Sequence, residues 1–153
     1  MPTFAKSSPM PASAERLWAF HVSPGALERL TPPWERVRIE DPGRGVAEGS
    51  RVVLRVGRFP FRLRWVAEHR EVHPGREFTD VQIRGPFRRW EHVHRFVPDG
   101  DGASILEDRI RYELPGGRLG LWLGGPHVRR KLDRMFAWRH EATRRALEEG
   151  SSA

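Results

Sequence analysis

From residue 34 to residue 114 apolar side chains recur at nearly every second position, as in strands with one covered face. Residues 51–58 put Val52, Leu54 and Val56 on one side, and residues 61–72 align Leu63, Trp65, Ala67 and His69. Residues 77–84 group Phe78, Asp80 and Gln82, and residues 89–97 group Trp90, His92, His94 and Phe96. Residues 104–114 group Leu106, Asp108, Ile110, Tyr112 and Leu114, whereas residues 34–40 alternate only weakly (Trp34, Val37, Ile39). The breaks between these runs carry turn chemistry: Asp41-Pro42-Gly43, Phe59-Pro60, Pro74-Gly75, Gly85-Pro86 and Asp99-Gly100-Asp101-Gly102.

Outside that region the period changes. Residues 4–9 form a first short strand. Ser13 is placed to cap a helix carrying Leu17, Trp18 and Phe20. Ser23-Pro24 opens a second short helix with Leu27 and Leu30 one turn apart, and Thr31-Pro32-Pro33 ends it. After Pro115-Gly116-Gly117 comes a short apolar segment, Leu119, Leu121, Trp122 and Leu123, followed by Gly124-Gly125. A long helix is expected from about Pro126 to about Glu149, with Val128, Leu132, Met135, Phe136, Ala142, Thr143, Ala146 and Leu147 near one face. Trp138 falls off that stripe and suits an interface.

The order is strand, two short helices, a run of antiparallel strands and one long amphipathic helix, an α+β pattern. Its packing solution is a curved antiparallel sheet of about six to seven strands wrapped around the C-terminal helix. A single domain over residues 1–150 is expected, with residues 151–153 as a disordered tail.

Composition narrows the chemistry. Cysteine is absent, which removes disulfides, thiolate metal sites and cysteine nucleophiles. The N-terminus lacks the apolar run of a signal peptide and no segment is apolar enough to span a membrane, so a cytoplasmic location is expected. The net charge is +7, with Lys6 and Lys131 as the only lysines; asparagine is absent and Gln82 is the single glutamine. Loss of Cys, Asn and Gln alongside many charges suits a thermophile, although a GC-rich genome gives the same arginine bias. The arginines are spread along the chain beside acids, and no nucleic-acid motif is present. A solvated basic surface is therefore favoured over a nucleic-acid partner.

The strand face from Phe78 to Phe96 mixes large aromatics with Asp80, Gln82, His92 and His94. That is the composition of a pocket wall, apolar with a few convergent polar groups. His92 and His94 at i, i+2, with Asp80 and Asp108 on neighbouring strands, admit a site of two imidazoles and a carboxylate. The third ligand depends on strand register, and packed histidines in a hydrogen-bonded network are the more economical reading, so no metal or cofactor is expected. Were the faces reversed, Val93 and Val97 would be inside. For acid–base chemistry, His92 or His94 is the candidate base, Asp80 or Asp108 its orienting partner, and Gln82, Tyr112 and Trp90 the donors. The alternative is the same groups anchoring a ligand without reaction.

The segment F-x-D-x-Q-x-x-G-P-F-x-x-W-x-H-x-H-x-F resembles the signature of a bacterial ligand-binding-type branch of the START, polyketide cyclase and pollen-allergen (SRPBCC, helix-grip) superfamily. Residues 27–34, 62–68 and 130–140 look like its second helix, central strand and C-terminal helix, so the likeness covers almost the whole chain. Related domains occur alone or fused to a sugar-nucleotide epimerase-like domain. The resemblance implies a helix-grip fold and a cavity for a small hydrophobic or amphipathic molecule. Trp65, His69, Phe78, Asp80, Gln82, Trp90, His92, His94, Phe96, Asp108, Ile110, Tyr112, Leu132, Met135 and Phe136 are the expected lining. Two alternatives stand beside a ligand carrier: a polyketide cyclase or dehydratase-like enzyme, and a basic module for nucleic acid or anionic membrane.

Overall fold

A computed structural model describes residues 1–151. The elements are β1 (Thr3–Met10), α1 (Ala14–Val22), α2 (Ala26–Arg29), β2 (Val37–Asp41), β3 (Arg51–Val56), β4 (Leu63–His73), β5 (Glu77–Arg84), β6 (Arg89–Pro98), β7 (Ser104–Glu113) and α3 (Gly117–Ser151). The strands form one sheet in the order β1-β7-β6-β5-β4-β3-β2, and every pairing is antiparallel. This is the α+β order that the pattern predicts, in the helix-grip arrangement that the resemblance implies.

Local chemistry sets most boundaries. Ser13 caps α1, its hydroxyl accepting from the Arg16 amide at 3.3 Å, and Leu17 of that helix is fully buried. The β6–β7 hairpin turns through Gly100 and Gly102, both at positive φ, which side chains disfavour. The ladder between β4 and β5 slips twice, at Val66/Ala67 and at Arg70/His73, and such bulges bend a sheet. The bend lets α3 lie across the inner face, where it packs on β1 and β7, while α1 packs on β6 and β7.

Two expectations change. The apolar segment at residues 119–123 is not a separate lead-in: α3 begins at Gly117 and carries Pro126 within it. Gly120 lets the first turn pass the preceding strand end, since a Cβ there would lie 1.8 Å from the Pro115 carbonyl oxygen. Proline at 126 leaves the carbonyl one turn earlier, at Trp122, without its amide donor. Trp122 is 75% exposed, so water can serve that carbonyl. At the other end Ser151, expected in a disordered tail, closes the helix and accepts a hydrogen bond from Arg16. Residues 152–153 lie outside the described residues.

The core has two apolar centres. One joins Met10, Leu17, Phe78, Phe96, Leu106 and Leu147. The other joins Phe4, Ile110, Tyr112, Leu132 and Phe136. On the outer face, ion pairs take up many of the arginines: cross-strand from Arg51 to Glu68, from Arg55 and Arg64 to Glu40 and from Arg95 to Glu77, and within β4 from Arg70 to Glu68. Among the described residues no helix is long and apolar enough to cross a membrane.

Candidate functional site: a buried histidine–aspartate network

The inner face of β4, β5, β6 and β7 carries a row of polar groups between the two apolar centres. Strand register creates it: His69 lies opposite Asp80, Asp80 opposite His92, and His94 opposite Asp108. His69, His92, His94 and Asp108 are all less than 9% exposed, so the histidines face inward and the reversed arrangement does not occur.

The groups form one connected chain. His69 Nδ1 contacts Asp80 Oδ1 at 2.5 Å, and His94 Nε2 contacts Asp80 Oδ2 at 3.0 Å. On its other side, His94 Nδ1 lies 3.0 Å from Asp108 Oδ1, which also meets His92 Nε2 at 2.7 Å. Asp108 Oδ2 takes His140 Nε2 of α3 at 2.7 Å, and His140 Nδ1 reaches Ser8 Oγ of β1 at 2.7 Å. Carboxylates only accept, so each imidazole nitrogen touching one carries the proton. His140 Nδ1 is then left to accept from the Ser8 hydroxyl, which ties β1, β7 and α3 together through Asp108.

The same contacts divide the charges. Burial opposes a charged His94, but the hydrogen bonds and negative charges of Asp108 and Asp80 outweigh it and push its pKa up to about 9. Burial dominates at His92, and the neighbouring charge of His94 adds to it; despite Asp108, the His92 pKa falls to about 4. Burial opposes ionisation of both aspartates as well, yet the imidazole hydrogen bonds hold both carboxyls well below their usual range. At neutral pH the network therefore holds two carboxylates, a cationic His94 and a neutral His92.

Three polar groups are left over. His69 Nε2 and His92 Nδ1 make no hydrogen bond among the described residues. Among the described residues no side-chain nitrogen or oxygen sealed from solvent lacks a partner, so neither of these atoms is sealed. The guanidinium of Arg139, half-buried on α3, rests over the Phe136 ring at 5.3 Å without an ion pair or hydrogen bond among the described residues. Burial lowers its pKa while the charges of Asp108 and Asp80 oppose that shift.

Apolar rings frame these groups. Phe78 stacks on His94 at 4.3 Å, and Phe136 meets His92 edge-on at 5.2 Å. Trp65 packs edge-on against Trp90 at 5.2 Å and on Phe87 at 5.7 Å. Phe96, Ile110, Tyr112 and Leu132 are buried, and Met135 packs beside the second apolar centre. Gln82 is engaged locally: its amide donates to the Phe87 carbonyl at 2.7 Å and accepts from the Phe87 amide at 3.4 Å, clasping the β5–β6 turn. Ser8, Arg139 and His140 were absent from the sequence-derived set. His140 had left a signal, a histidine one turn beyond Phe136 on the apolar stripe of α3.

Beyond β4 the inner face opens. Ile39, Leu54 and Trp65 share a row across β2, β3 and β4, and all three are half-buried. A depression of about 450 Å³ lined by Thr31, Pro32, Pro33, Val37 and Ile39 lies between the segment after α2 and β2. That segment leans on α3 through Trp34, 6.1 Å from Trp138, and through Glu35, 3.2 Å from Lys131. A second depression, about 460 Å³, is edged by Arg36, Arg38, Arg55, Arg58 and Arg62, at the strand ends away from the network.

The likeness to solved structures agrees with this architecture. The chain aligns over 95% of its length with a nucleoside-diphosphate sugar epimerase from Corynebacterium glutamicum, at 29% identity and TM-score 0.72, and spans 29% of that longer protein. Norcoclaurine synthase from Thalictrum flavum shares 15% identity at TM-score 0.73, with 98% of this chain and 96% of that one covered. A START superfamily protein from Mycobacterium smegmatis shares 17% identity at TM-score 0.68, covering 96% and 97%. No curated protein matches the sequence. The family described as polyketide cyclase / dehydrase and lipid transport matches residues 10–137, and the chain belongs to that family.

Proposed function

We propose that the protein holds a small amphipathic molecule between the open half of its sheet and α3. The carrying observation is the set of unengaged polar edges (His69 Nε2, His92 Nδ1 and the Arg139 guanidinium) on an otherwise satisfied network framed by aromatic rings. A polar group with an oxygen acceptor or a carboxylate would complete Arg139, and the ligand's apolar body would lie along Trp65, Leu54 and Ile39. The family assignment supports a ligand of this class. Native mass spectrometry of the purified protein, followed by denaturing extraction, tests the reading. A co-purifying amphipathic molecule, bound at least tenfold more weakly by Arg139→Leu, is the expected outcome. An empty protein that binds no member of a lipid and aromatic polyketide panel would sink it.

A second reading has its own support. His92 and His94 lie with ring centroids 3.8 Å apart, one neutral and one cationic at pH 7. Adjacent groups pushed to opposite protonation states are a common basis for acid–base catalysis. In a cyclase or dehydratase, His92 Nδ1 would take a proton, and the positive charge of His94, whose two N–H groups are held by Asp80 and Asp108, would favour developing negative charge through space. Turnover of a polyketide-like substrate that disappears in His92→Phe, with binding retained, distinguishes this enzyme from a carrier. The paired arginines of the outer face favour a solvated surface over a nucleic-acid module.

A further inference from the structure

We infer that Asp80, His92 and His94 form a binding site for one divalent first-row transition-metal ion. The inference deepens the ligand reading and rests on the same interior site. One donor atom from each of the three residues lies within 4.8 Å of the other two. Asp80 Oδ2 and His94 Nε2 are already 3.0 Å apart, the spacing of two neighbouring ligands on an ion with bonds of about 2.0–2.2 Å.

The residues behind these three matter as much. In metal sites a ligating imidazole commonly donates its other N–H to a carboxylate, which fixes the ring and leaves the near nitrogen for the ion. Asp108 does this for both rings: its Oδ1 takes His92 Nε2 at 2.7 Å and His94 Nδ1 at 3.0 Å. His69 does the equivalent for Asp80 by holding Oδ1, leaving Oδ2 turned to His94. His140 anchors Asp108 in turn. His92 Nδ1 is unengaged, and His94 Nε2 and Asp80 Oδ2 are engaged only with each other, so an ion that replaces the proton between them completes a two-histidine, one-carboxylate set.

Charge and donor type select the ion. Two carboxylates in a buried site suit a dication, and imidazole with carboxylate suits zinc, iron(II), cobalt(II) or manganese(II) rather than soft copper(I). Three protein ligands leave coordination positions open. An oxygen of the bound molecule could fill one of them, giving the ligand's polar end a second anchor beside Arg139.

The experiment is titration of chelator-stripped full-length protein with cobalt(II) alone, followed by visible absorption, and with zinc(II) alone, followed calorimetrically. One equivalent bound with sub-micromolar affinity, and cobalt bands of nitrogen and oxygen coordination, are expected. Asp80→Asn and His92→Gln should each weaken binding by at least about 100-fold, and Asp108→Asn by about 10–100-fold. His127→Ala, an exposed histidine on α3, should leave it unchanged. No saturable binding to the wild-type protein, or binding that survives Asp80→Asn and His92→Gln in variants with native circular dichroism, overturns the site. The wild-type cobalt spectrum decides the question even if a variant does not fold. Ligand affinity measured on the stripped protein keeps the two ideas separable, because a carrier without metal still binds its molecule.

Discussion

The two halves of the sheet differ in how they are covered. β5, β6, β7 and β1 contribute Phe78, Phe96, Leu106, Ile110, Tyr112 and Phe4 to sealed apolar centres beneath α1 and α3. β2 and β3 contain no buried residue, and in β4 only His69 is buried. The same period-2 pattern runs through both halves, so amphipathic strands alone do not make a core. A core forms where a helix supplies the opposing surface. The polar network lies at the boundary, within reach of the rigid half for support and of the open half for access.

The sharpest break in the comparison is Asp108→Ala. It leaves three imidazoles without their acceptor and the cationic His94 half-paired, a loss of about 3–5 kcal/mol. Removing the open half's paired carboxylate with Glu40→Ala, which holds Arg55 and Arg64 on the exposed outer face, should lower the urea midpoint far less. Urea denaturation of both variants checks this, and equal losses would erase the distinction between the halves. Phe136→Ala should cost about 3–5 kcal/mol and Leu54→Ala about 1 kcal/mol. Leu54→Ala should instead weaken ligand binding, the opposite balance from a core substitution.

The pH dependence of metal-free protein sharpens the boundary. His94 has its folded pKa raised from 6.5 to about 9, so its contribution is complete below pH 6.5 and disappears as pH rises through 9. His92 is lowered from 6.5 to about 4, so its contribution is present above pH 6.5 and disappears as pH falls through 4. Each shift corresponds to roughly 3 kcal/mol. The carboxylates, held low, add further acid sensitivity below their ordinary range. Stability should therefore peak near pH 6.5 and fall on both sides. A flat profile of urea midpoints between pH 5 and 9.5 would show that the network does not carry these charges. The smallest expected effect is Arg111→Ala on the outer face, under about 0.5 kcal/mol, because its pairing with Glu91 is exposed and long at 3.9 Å.

Much of this was legible in the sequence. Alternation placed each strand to within a few residues, and it put Asp80, His92, His94 and Asp108 on inward faces. The joining of these faces was not legible. Which carboxylate meets which imidazole depends on a diagonal reach, His94 of β6 to Asp80 of β5, and no single-strand pattern records it. His140 enters from a helix docked across the sheet, a contact between residues 32 apart. Pro126 and its preceding glycines read as a helix start because proline stops most helices from within. Here the exposed side of α3 absorbs the missing bond, and the helix begins at Gly117, well before Pro126.

The clasp of Gln82 on Phe87 has a consequence for how this sequence can change. A Cβ at Gly85 would stand 2.2 Å from Gln82 Oε1, so a methyl there evicts the amide from the turn it holds. The two positions are therefore coupled energetically. Gly85→Ala alone should be poorly tolerated, Gln82→Ala alone leaves the turn amide of Phe87 unserved, and the double substitution costs less than the two single losses added together.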